Sequence, residues 1–338
     1  MSPQFVDFDG DGKLDIVAGI FDGSPHLVRG TAKGWGKPEQ ILDRDGRRIV
    51  LNAFWNFDTE KWDSTHQHDA KGHEGEGHIT SAVAFDLDGD GDLDLLLGDH
   101  KGGHVYSRIN AGTAAKPAFT TVNELVLAGG KPIDVPGTVA TLRLVDWNGD
   151  GRMDLAASGM GDAYNDGEGG GVYVFLNEGT PKEPRFAAPI TLLERSKKGQ
   201  QEPTRPDSGL YMDFADHDGD GDLDMVVGGY SHWTPPPVQL TAEQQARAEA
   251  LQEEIDELEK ATNAIYEEID KQLEGLGEDA ADAKREELFA AKRDELTRLG
   301  KRTKELRDEL DPLVPGAKRD SFVWLYENLA KSKAPPAK

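Results

Sequence analysis

Four segments of this sequence place aspartates at one fixed spacing. They cover residues 7–15, 86–94, 146–154 and 216–224, and each fits the pattern Asp-x-Asp/Asn-Gly-Asp-Gly-x-Leu/Met-Asp. Oxygen atoms crowded into a tightly wound loop are the ligands that the hard cation Ca²⁺ prefers. Zinc and copper favour nitrogen or sulfur ligands, and Mg²⁺ requires a stricter octahedron. The pattern therefore predicts about four bound Ca²⁺ ions.

Each loop supplies five candidate ligands, at loop positions 1, 3, 5, 7 and 9. Positions 1, 3 and 5 offer side-chain oxygens, position 7 offers its backbone carbonyl, and the aspartate at position 9 closes the site with both oxygens. Glycines at positions 4 and 6 permit the backbone torsions of such a loop. Asn148 contributes a neutral oxygen in place of a carboxylate, so we expect the third site to bind most weakly. The predicted ligands are Asp7, Asp9, Asp11, Lys13 and Asp15; Asp86, Asp88, Asp90, Asp92 and Asp94; Asp146, Asn148, Asp150, Arg152 and Asp154; and Asp216, Asp218, Asp220, Asp222 and Asp224.

The residues that follow each loop separate it from the EF-hand, another calcium loop. An EF-hand needs a glutamate at position 12 and a helix on each side, whereas position 12 is Ala18, Leu97, Ala157 or Val227 here. An aspartate-rich turn without an ion is the remaining alternative. It is disfavoured because four or five uncompensated carboxylates in one loop repel one another strongly.

Short apolar stretches of β-strand character flank the loops. A third strand is predicted at 105–110, 172–177 and 323–328, and a fourth strand near Phe119 and Phe186. Four-stranded repeats of this kind build β-propellers. We therefore predict an all-β, calcium-binding propeller with four recognisable blades, and its two ends leave open whether the ring is complete. The predicted blades are 3–78, 79–138, 139–206, and 207–239 with 312–330, so that the propeller spans 1–239 and 312–330.

Residues 240–311 have a helical periodicity instead. Thr241 and Gln244 form a capping box, and apolar residues follow at coiled-coil spacing over 251–269 and 288–310. Two arms of similar length predict an antiparallel α-helical coiled-coil hairpin, inserted between the second and third strands of the last blade. The alternative is an arm that forms a homodimer through residues 241–311. We expect 331–338 to be a disordered tail.

These motifs together resemble a known family. Asp-rich loops followed by an apolar strand and a Val-Tyr/Trp-x-x-x-Asn segment resemble FG-GAP/VCBS repeats, the blades of integrin-α-like propellers. The stretch 230–237 resembles uncharacterised bacterial members of the Planctomycetes type. The resemblance covers nearly all of the chain outside 240–311. It implies calcium on the hairpin loops and an exported protein, and it implies no substrate.

The bulk composition narrows the class of protein. The absence of cysteine excludes disulfides and thiolate metal sites, and the formal charge of −25 argues against nucleic acid or anionic lipid as a partner. No apolar run is long enough for insertion into a membrane. The N-terminus lacks the features of a signal peptide, yet calcium sites of modest affinity fill only outside cells. We therefore expect an extracellular, periplasmic or cell-surface protein whose signal peptide is missing from this sequence.

Strand alternation places the Asp loops on one face of the propeller and the longer connections on the opposite face. His66 and His68 with Asp69 could bind a transition metal or act as acid and base there, and the alternative is a set of solvated histidines. The histidines whose role the sequence leaves open are His66, His68, His73 and His78.

A second acidic segment and the absence of catalytic motifs complete the functional prediction. Asp162, Asp166 and Glu168 could hold a fifth calcium ion, and no nucleophile-elbow, phosphate-binding or dinucleotide motif occurs. We predict a non-catalytic calcium-binding repeat protein for extracellular adhesion, with an unknown protein or polysaccharide as its partner. One alternative is a polysaccharide lyase or hydrolase on the propeller scaffold. The other is a structural protein that assembles through its helical arm.

Overall fold

The computed structural model describes residues 3–64, 67, 72, 77–161, 168–180, 183–197, 203–276 and 278–329. The chain forms two compact units, one comprising Met1–His232 with Arg319–Lys338 and the other Trp233–Lys318. The predicted tail 331–338 lies outside the described residues. The fold is thus mostly β-sheet, with two helices in the second unit.

Antiparallel sheets and short ribbons alternate along the first half of the chain. The first sheet has the strand order β1-β2-β3-β6, and the second has the order β12-β11-β10-β9. Ribbons β4-β5 and β7-β8 lie between them in sequence. The strands are β1 (Gln4–Val6), β2 (Asp15–Gly19), β3 (Pro25–Val28), β4 (Gly30–Thr31), β5 (Gly34–Trp35), β6 (Glu39–Gln40), β7 (Ala53–Asn56), β8 (Lys61–Ser64), β9 (Ile79–Phe85), β10 (Asp94–Asp99), β11 (Val105–Arg108) and β12 (Glu124–Leu125).

The same succession continues after the second sheet. The third sheet has the order β15-β16-β17-β18, the fourth has the order β19-β20-β21, and a ribbon β13-β14 precedes them. Each of the four sheets lies within one of the predicted blade ranges. The strands are β13 (Leu127–Ala128), β14 (Lys131–Pro132), β15 (Thr141–Val145), β16 (Asp154–Ser158), β17 (Val172–Phe175), β18 (Ile190–Leu193), β19 (Ser208–Ala215), β20 (Asp224–Trp233) and β21 (Lys318–Tyr326).

Every Asp loop connects the first two strands of a sheet in the same register. The last aspartate of the loop pairs across the hairpin with the residue that precedes the loop. The four closing pairs are Val6 with Asp15, Phe85 with Asp94, Val145 with Asp154, and Ala215 with Asp224. The loops are therefore hairpin connections between strands, as their apolar flanks predict.

The sheets pack face to face in chain order. Leu95 and Leu97 of β10 belong to the same hydrophobic cluster as Val17 of the first sheet. Leu96 points to the other side, because successive side chains of a strand face opposite ways, and it shares a cluster with Leu155 of the third sheet. A third cluster joins the third and fourth sheets. This alternation explains why the second strands are apolar at consecutive positions.

The outer faces of the first and fourth sheets remain exposed. Phe5 is 58% exposed on β1, and Val323 is 78% exposed on β21. Within the described residues, no hydrophobic cluster joins these two sheets, and they form no closed barrel. The predicted fold is thus confirmed in its coarser form, a β-sheet repeat fold with two helices. The count of four propeller blades stays a prediction.

The second unit consists of two antiparallel helices, α1 (Ala242–Leu273) and α2 (Glu278–Leu310). The predicted capping box is present, since the Thr241 hydroxyl accepts from the Gln244 N–H at 3.2 Å and the Gln244 side chain accepts from the Thr241 N–H at 2.9 Å. Leu251 and Ile255 of α1 pack with Leu306 of α2. The predicted seams therefore meet each other within one chain. No described helix is apolar enough over a sufficient length to span a membrane.

Candidate metal loops and the opposite face

All four Asp loops share one scaffold of hydrogen bonds. The carboxylate at position 1 accepts two backbone N–H groups from later in the loop, at 2.7–3.2 Å. Position 3 accepts the N–H of position 5 at 3.0–3.2 Å, and position 5 accepts the N–H of position 7 at 2.9–3.1 Å. These bonds hold one oxygen-rich turn in four copies, so the side chains predicted as ligands are preorganised by the backbone.

Glycines at positions 4 and 6 of the loops all have a left-handed backbone, with φ between 67° and 99°. A Cβ atom added to Gly12, Gly149 or Gly219 would meet no other atom within 4 Å. Space is therefore available at these positions, and the requirement for glycine comes from the positive φ. This confirms the role that the sequence assigns to these glycines.

The aspartate at position 9 is buried and ties the loop to the third strand. One carboxylate oxygen accepts the N–H of loop position 2 at 2.7–3.1 Å. The other accepts, at 2.6–2.9 Å, an N–H just beyond the third strand, from Gly30, Asn110, Asn177 or Asn328. Each oxygen keeps a second lone pair, so closure of a metal site by both oxygens stays a prediction. This structural role was not predicted from the sequence, although the asparagine that recurs after the third strand indicates the hydrogen bond.

The second and fourth loops have an aspartate at position 7 with unpartnered oxygens. Oδ1 of Asp92 and both carboxylate oxygens of Asp222 are buried without a hydrogen bond. Burial, followed by repulsion from the neighbouring carboxylates of each loop, raises the pKa of both side chains. Burial also raises the pKa of Asp94 to about 6. A divalent cation would compensate such a concentration of negative charge, so these donor sets fit Ca²⁺.

The first and third loops each contain a positively charged side chain at position 7. Lys13 Nζ lies 2.5 Å from Oδ2 of Asp11, and an Arg152 guanidinium nitrogen lies 2.5 Å from Oδ2 of Asp150. The hydrogen bond from Lys13 lowers the pKa of Asp11. In these two loops the side chain at position 7 therefore also contacts the loop carboxylates, in addition to the backbone carbonyl that is predicted as a ligand. It pairs with the position-5 carboxylate that the sequence predicts as a metal ligand.

Three of the four loops bring carboxylate oxygens within 4.8 Å of one another. The third loop is not among these clusters within the described residues. Its Asn148 donates to Oδ2 of Asp150 at 2.8 Å, the oxygen that Arg152 also contacts. The clustered residues are Asp7, Asp9 and Asp15; Asp86, Asp88 and Asp90; and Asp216, Asp218 and Asp224.

The other candidate sites are only partly covered by the structure. His66, His68, Asp69 and His73, and likewise Asp162 and Asp166, lie outside the described residues. Glu168 lies 2.6 Å from Arg195 in an ion pair. His78 stacks on His100 with ring centroids 4.4 Å apart, and burial, followed by the charge of His100, lowers the pKa of His78 to about 4. His78 is therefore neutral at physiological pH.

The sheets and their loops define a class of protein, one built from β-sheet repeats that each carry an Asp-rich hairpin loop. Residues 86–157 and 146–227 match the FG-GAP-like repeat. Integrin alpha-PS2 of Drosophila melanogaster is 28% identical over 238 residues, which cover 67% of this chain and 15% of the integrin. The chain thus contains FG-GAP-like repeats and is similar to an integrin α chain, of whose length it spans about 15%. The closer resemblance to Planctomycetes-type members stays a prediction.

Proposed function

We propose that this protein is a calcium-stabilised, non-catalytic binding module of the extracellular adhesion type. The observation that carries the proposal is the fourfold repetition of one preorganised oxygen-rich loop in a chain with FG-GAP-like repeats. The repeated residues all serve the fold, because the loops tie the strands of each sheet together. FG-GAP-like repeats and similarity to an integrin α chain support adhesion rather than catalysis, and they support a location outside the cytoplasm.

Calcium has a structural role in this proposal. Carboxylates that crowd into one loop repel each other unless a cation neutralises them, and position 9 connects each loop directly to a third strand. An ion bound to the loop would therefore stabilise three strands at once. We infer that the second and fourth loops bind calcium more tightly than the first and third, since Lys13 and Arg152 already pair with a carboxylate.

The partner is proposed to bind at the strand ends opposite the Asp loops. The loops lie where β2 and β10 begin, whereas the turn after β2 and the residues after β10 lie at the other end of these strands. Connections at that end do not take part in the repeated calcium scaffold, so they are available for recognition. A protein or a polysaccharide is the proposed partner class.

Solid-phase binding tests the proposal against both partner classes at once. The full chain is applied, in calcium, to a panel of immobilised extracellular-matrix proteins and insoluble polysaccharides. We expect retention on at least one surface and no release of soluble cleavage products. Absence of retention on every surface would contradict the binding role. Release of reducing ends from a polysaccharide would instead show a catalytic protein.

A further inference from the structure

One pattern of side chains joins the four sheets to each other. On the second strand, the first residue after the Asp loop faces the previous sheet, and the second residue faces the next sheet. Each of the three hydrophobic clusters between sheets contains one such pair, namely Val17 with Leu95, Leu96 with Leu155, and Ala156 with Met225. The same interface is thus built three times along the chain.

The first and third strands follow the same rule. The residue two positions before the Asp loop faces the previous sheet, as Ala84, Leu144 and Phe214 do. The valine of the Val-Tyr/Trp segment faces the next sheet, and Val105 and Val172 are both fully buried in this way. Each sheet therefore has one face for its predecessor and a different face for its successor.

The first sheet has the face for a predecessor, and no sheet covers it within the described residues. Phe5 and Ile16 are equivalent to Ala84 and Leu95 of the second sheet, and they are cross-strand partners, so they share this face. Val28 pairs with Ile16 and extends the apolar surface. Ala84 is only 2% exposed, whereas Phe5 is 58% exposed. Phe5, Ile16 and Val28 are called here the first-sheet face.

The fourth sheet has the face for a successor, and it too is uncovered within the described residues. Val226 is equivalent to Val17, and Val323 is equivalent to Val105 and Val172. Val323 is 78% exposed, although both of its equivalents are fully buried. Burial of such apolar groups is favourable, so their exposure indicates a binding surface. Val226 and Val323 are called here the fourth-sheet face.

The repeat identifies what fits each of these two faces. No hydrophobic cluster joins the first and fourth sheets in the part of the chain that the structure describes. The fourth-sheet face corresponds to the three faces that accept a following sheet, and the first-sheet face corresponds to the three faces that accept a preceding one. A second copy of this chain supplies both faces, with residues of the type that already pack together three times.

We propose that the first-sheet face of each copy packs on the fourth-sheet face of a second copy, in a homodimer. The two faces differ, so the contact is heterologous, and two copies close through two identical interfaces. Such a ring contains twice the four sheets of one chain, a number within the range of about 4–8 blades in propellers. The inference goes beyond the proposed binding function, because it concerns assembly and needs no external ligand.

Sedimentation velocity of the full chain in calcium tests the proposal. Phe5→Asp places a charge on the first-sheet face, and Val323→Asp places one on the fourth-sheet face. Phe57→Asp is the matched control, because Phe57 is 61% exposed in the turn between β7 and β8, on neither face. Tyr266→Asp tests a dimer through the helical arm instead, because Tyr266 is 44% exposed on α1.

The wild type should sediment as a dimer whose proportion rises with concentration. Each face variant alone should raise the dimer dissociation constant about 100-fold or more. A ring contains the substitution twice, and one unpaired buried charge weakens an interface by more than about tenfold. Phe57→Asp and Tyr266→Asp should dimerise like the wild type.

Mixing the two face variants tests whether these faces pair with each other. A mixed ring has one unchanged interface and one interface that carries both substitutions. An equimolar mixture should therefore dimerise more tightly than either variant alone, and this restoration also shows that both variants are folded. If the melting temperature of Phe5→Asp falls in calcium, Phe5→Ser replaces it in the mixture.

Four results would each overturn the proposal. The wild type could remain a monomer at every concentration, or both face variants could dimerise as tightly as the wild type. Tyr266→Asp could dissociate the dimer while the face variants leave it intact, which would assign the dimer to the helical arm. Finally, the mixture could dimerise no more tightly than its components, which would show that the two faces do not pair.

Discussion

The buried aspartate at position 9 should stabilise the fold even without calcium. In Asp94→Ala, the N–H groups of Leu87 and Asn110 lose acceptors that lie 2.7 and 2.6 Å away. A buried donor left without a partner costs about 1–3 kcal/mol, so the loss of an acceptor by two donors should lower the free energy of unfolding by about 2–6 kcal/mol. For a domain of this size, each 1 kcal/mol lowers the melting temperature by about 2–4 °C. The expected loss of melting temperature is therefore roughly 4–24 °C, in EDTA as well as in calcium.

Asp90→Ala is the matched control within the same loop. Asp90 is exposed, and its carboxylate accepts only the N–H of Asp92 in the loop, at 3.0 Å. Its removal should lower the melting temperature in calcium and change little in EDTA. Thermal unfolding by circular dichroism, with and without calcium, measures both variants. The reasoning is refuted if Asp94→Ala matches the wild type in EDTA at about pH 4, where the raised pKa of Asp94 keeps its carboxyl group neutral in the folded state and no charge penalty cancels its hydrogen bonds.

Three further predictions concern the loops and the helical unit. Lys13→Ala should tighten calcium binding at the first loop, because it removes the cation that pairs with a loop carboxylate, whereas Lys33→Ala should not. Terbium luminescence measures the affinity of both variants, and equal affinities would argue against competition between Lys13 and the metal ion. In EDTA, the stability that depends on Asp94 should fall as pH rises from about 4 to about 7. The pKa of Asp94 is raised from 3.8 to about 6 in the folded state, so between these values the folded state binds a proton that the unfolded state has lost. This loss of stability with pH should be smaller in Asp94→Asn, which has no proton to release; chemical denaturation across pH checks this, and identical slopes in EDTA would contradict it. Thr241→Ala should destabilise the helices by about 1 kcal/mol, because it removes the N-terminal cap of α1. Thr297→Ala, an exposed substitution within α2, should not. Thermal melting followed by far-UV circular dichroism distinguishes the two variants, and equal melting curves would contradict a stabilising cap.

Local features of this protein were predictable from sequence because their causes are local. The Asp loops need glycine at positions 4 and 6 for torsional reasons, and the pattern of nine residues contains the whole requirement. The start of α1 was likewise predictable, because the capping box of Thr241 and Gln244 lies within four residues. The flanking strands were predictable from short apolar stretches on either side of each loop.

Features that depend on residues far apart in the sequence could not be predicted in the same way. The second hydrogen bond of Asp94 comes from Asn110, on the far side of another strand. The pairing of Lys13 with Asp11, a predicted calcium ligand, depends on a rotamer that brings the Lys13 Nζ to the carboxylate. The contact between the rings of Phe21 and Trp62 was not predictable, because the two residues belong to different hairpins that only the tertiary packing brings together.

Calcium titration by isothermal calorimetry, compared between the wild type and Asp220→Ala, tests the central claim most directly. Asp220 is the position-5 side chain of the fourth loop, one of the two loops without an internal lysine or arginine. The wild type should show calcium-dependent heat that resolves into a tighter and a weaker class of sites, with a higher melting temperature in calcium. Asp220→Ala should lose one site of the tighter class. A wild type with no binding heat and the same melting temperature in calcium and EDTA would contradict the account.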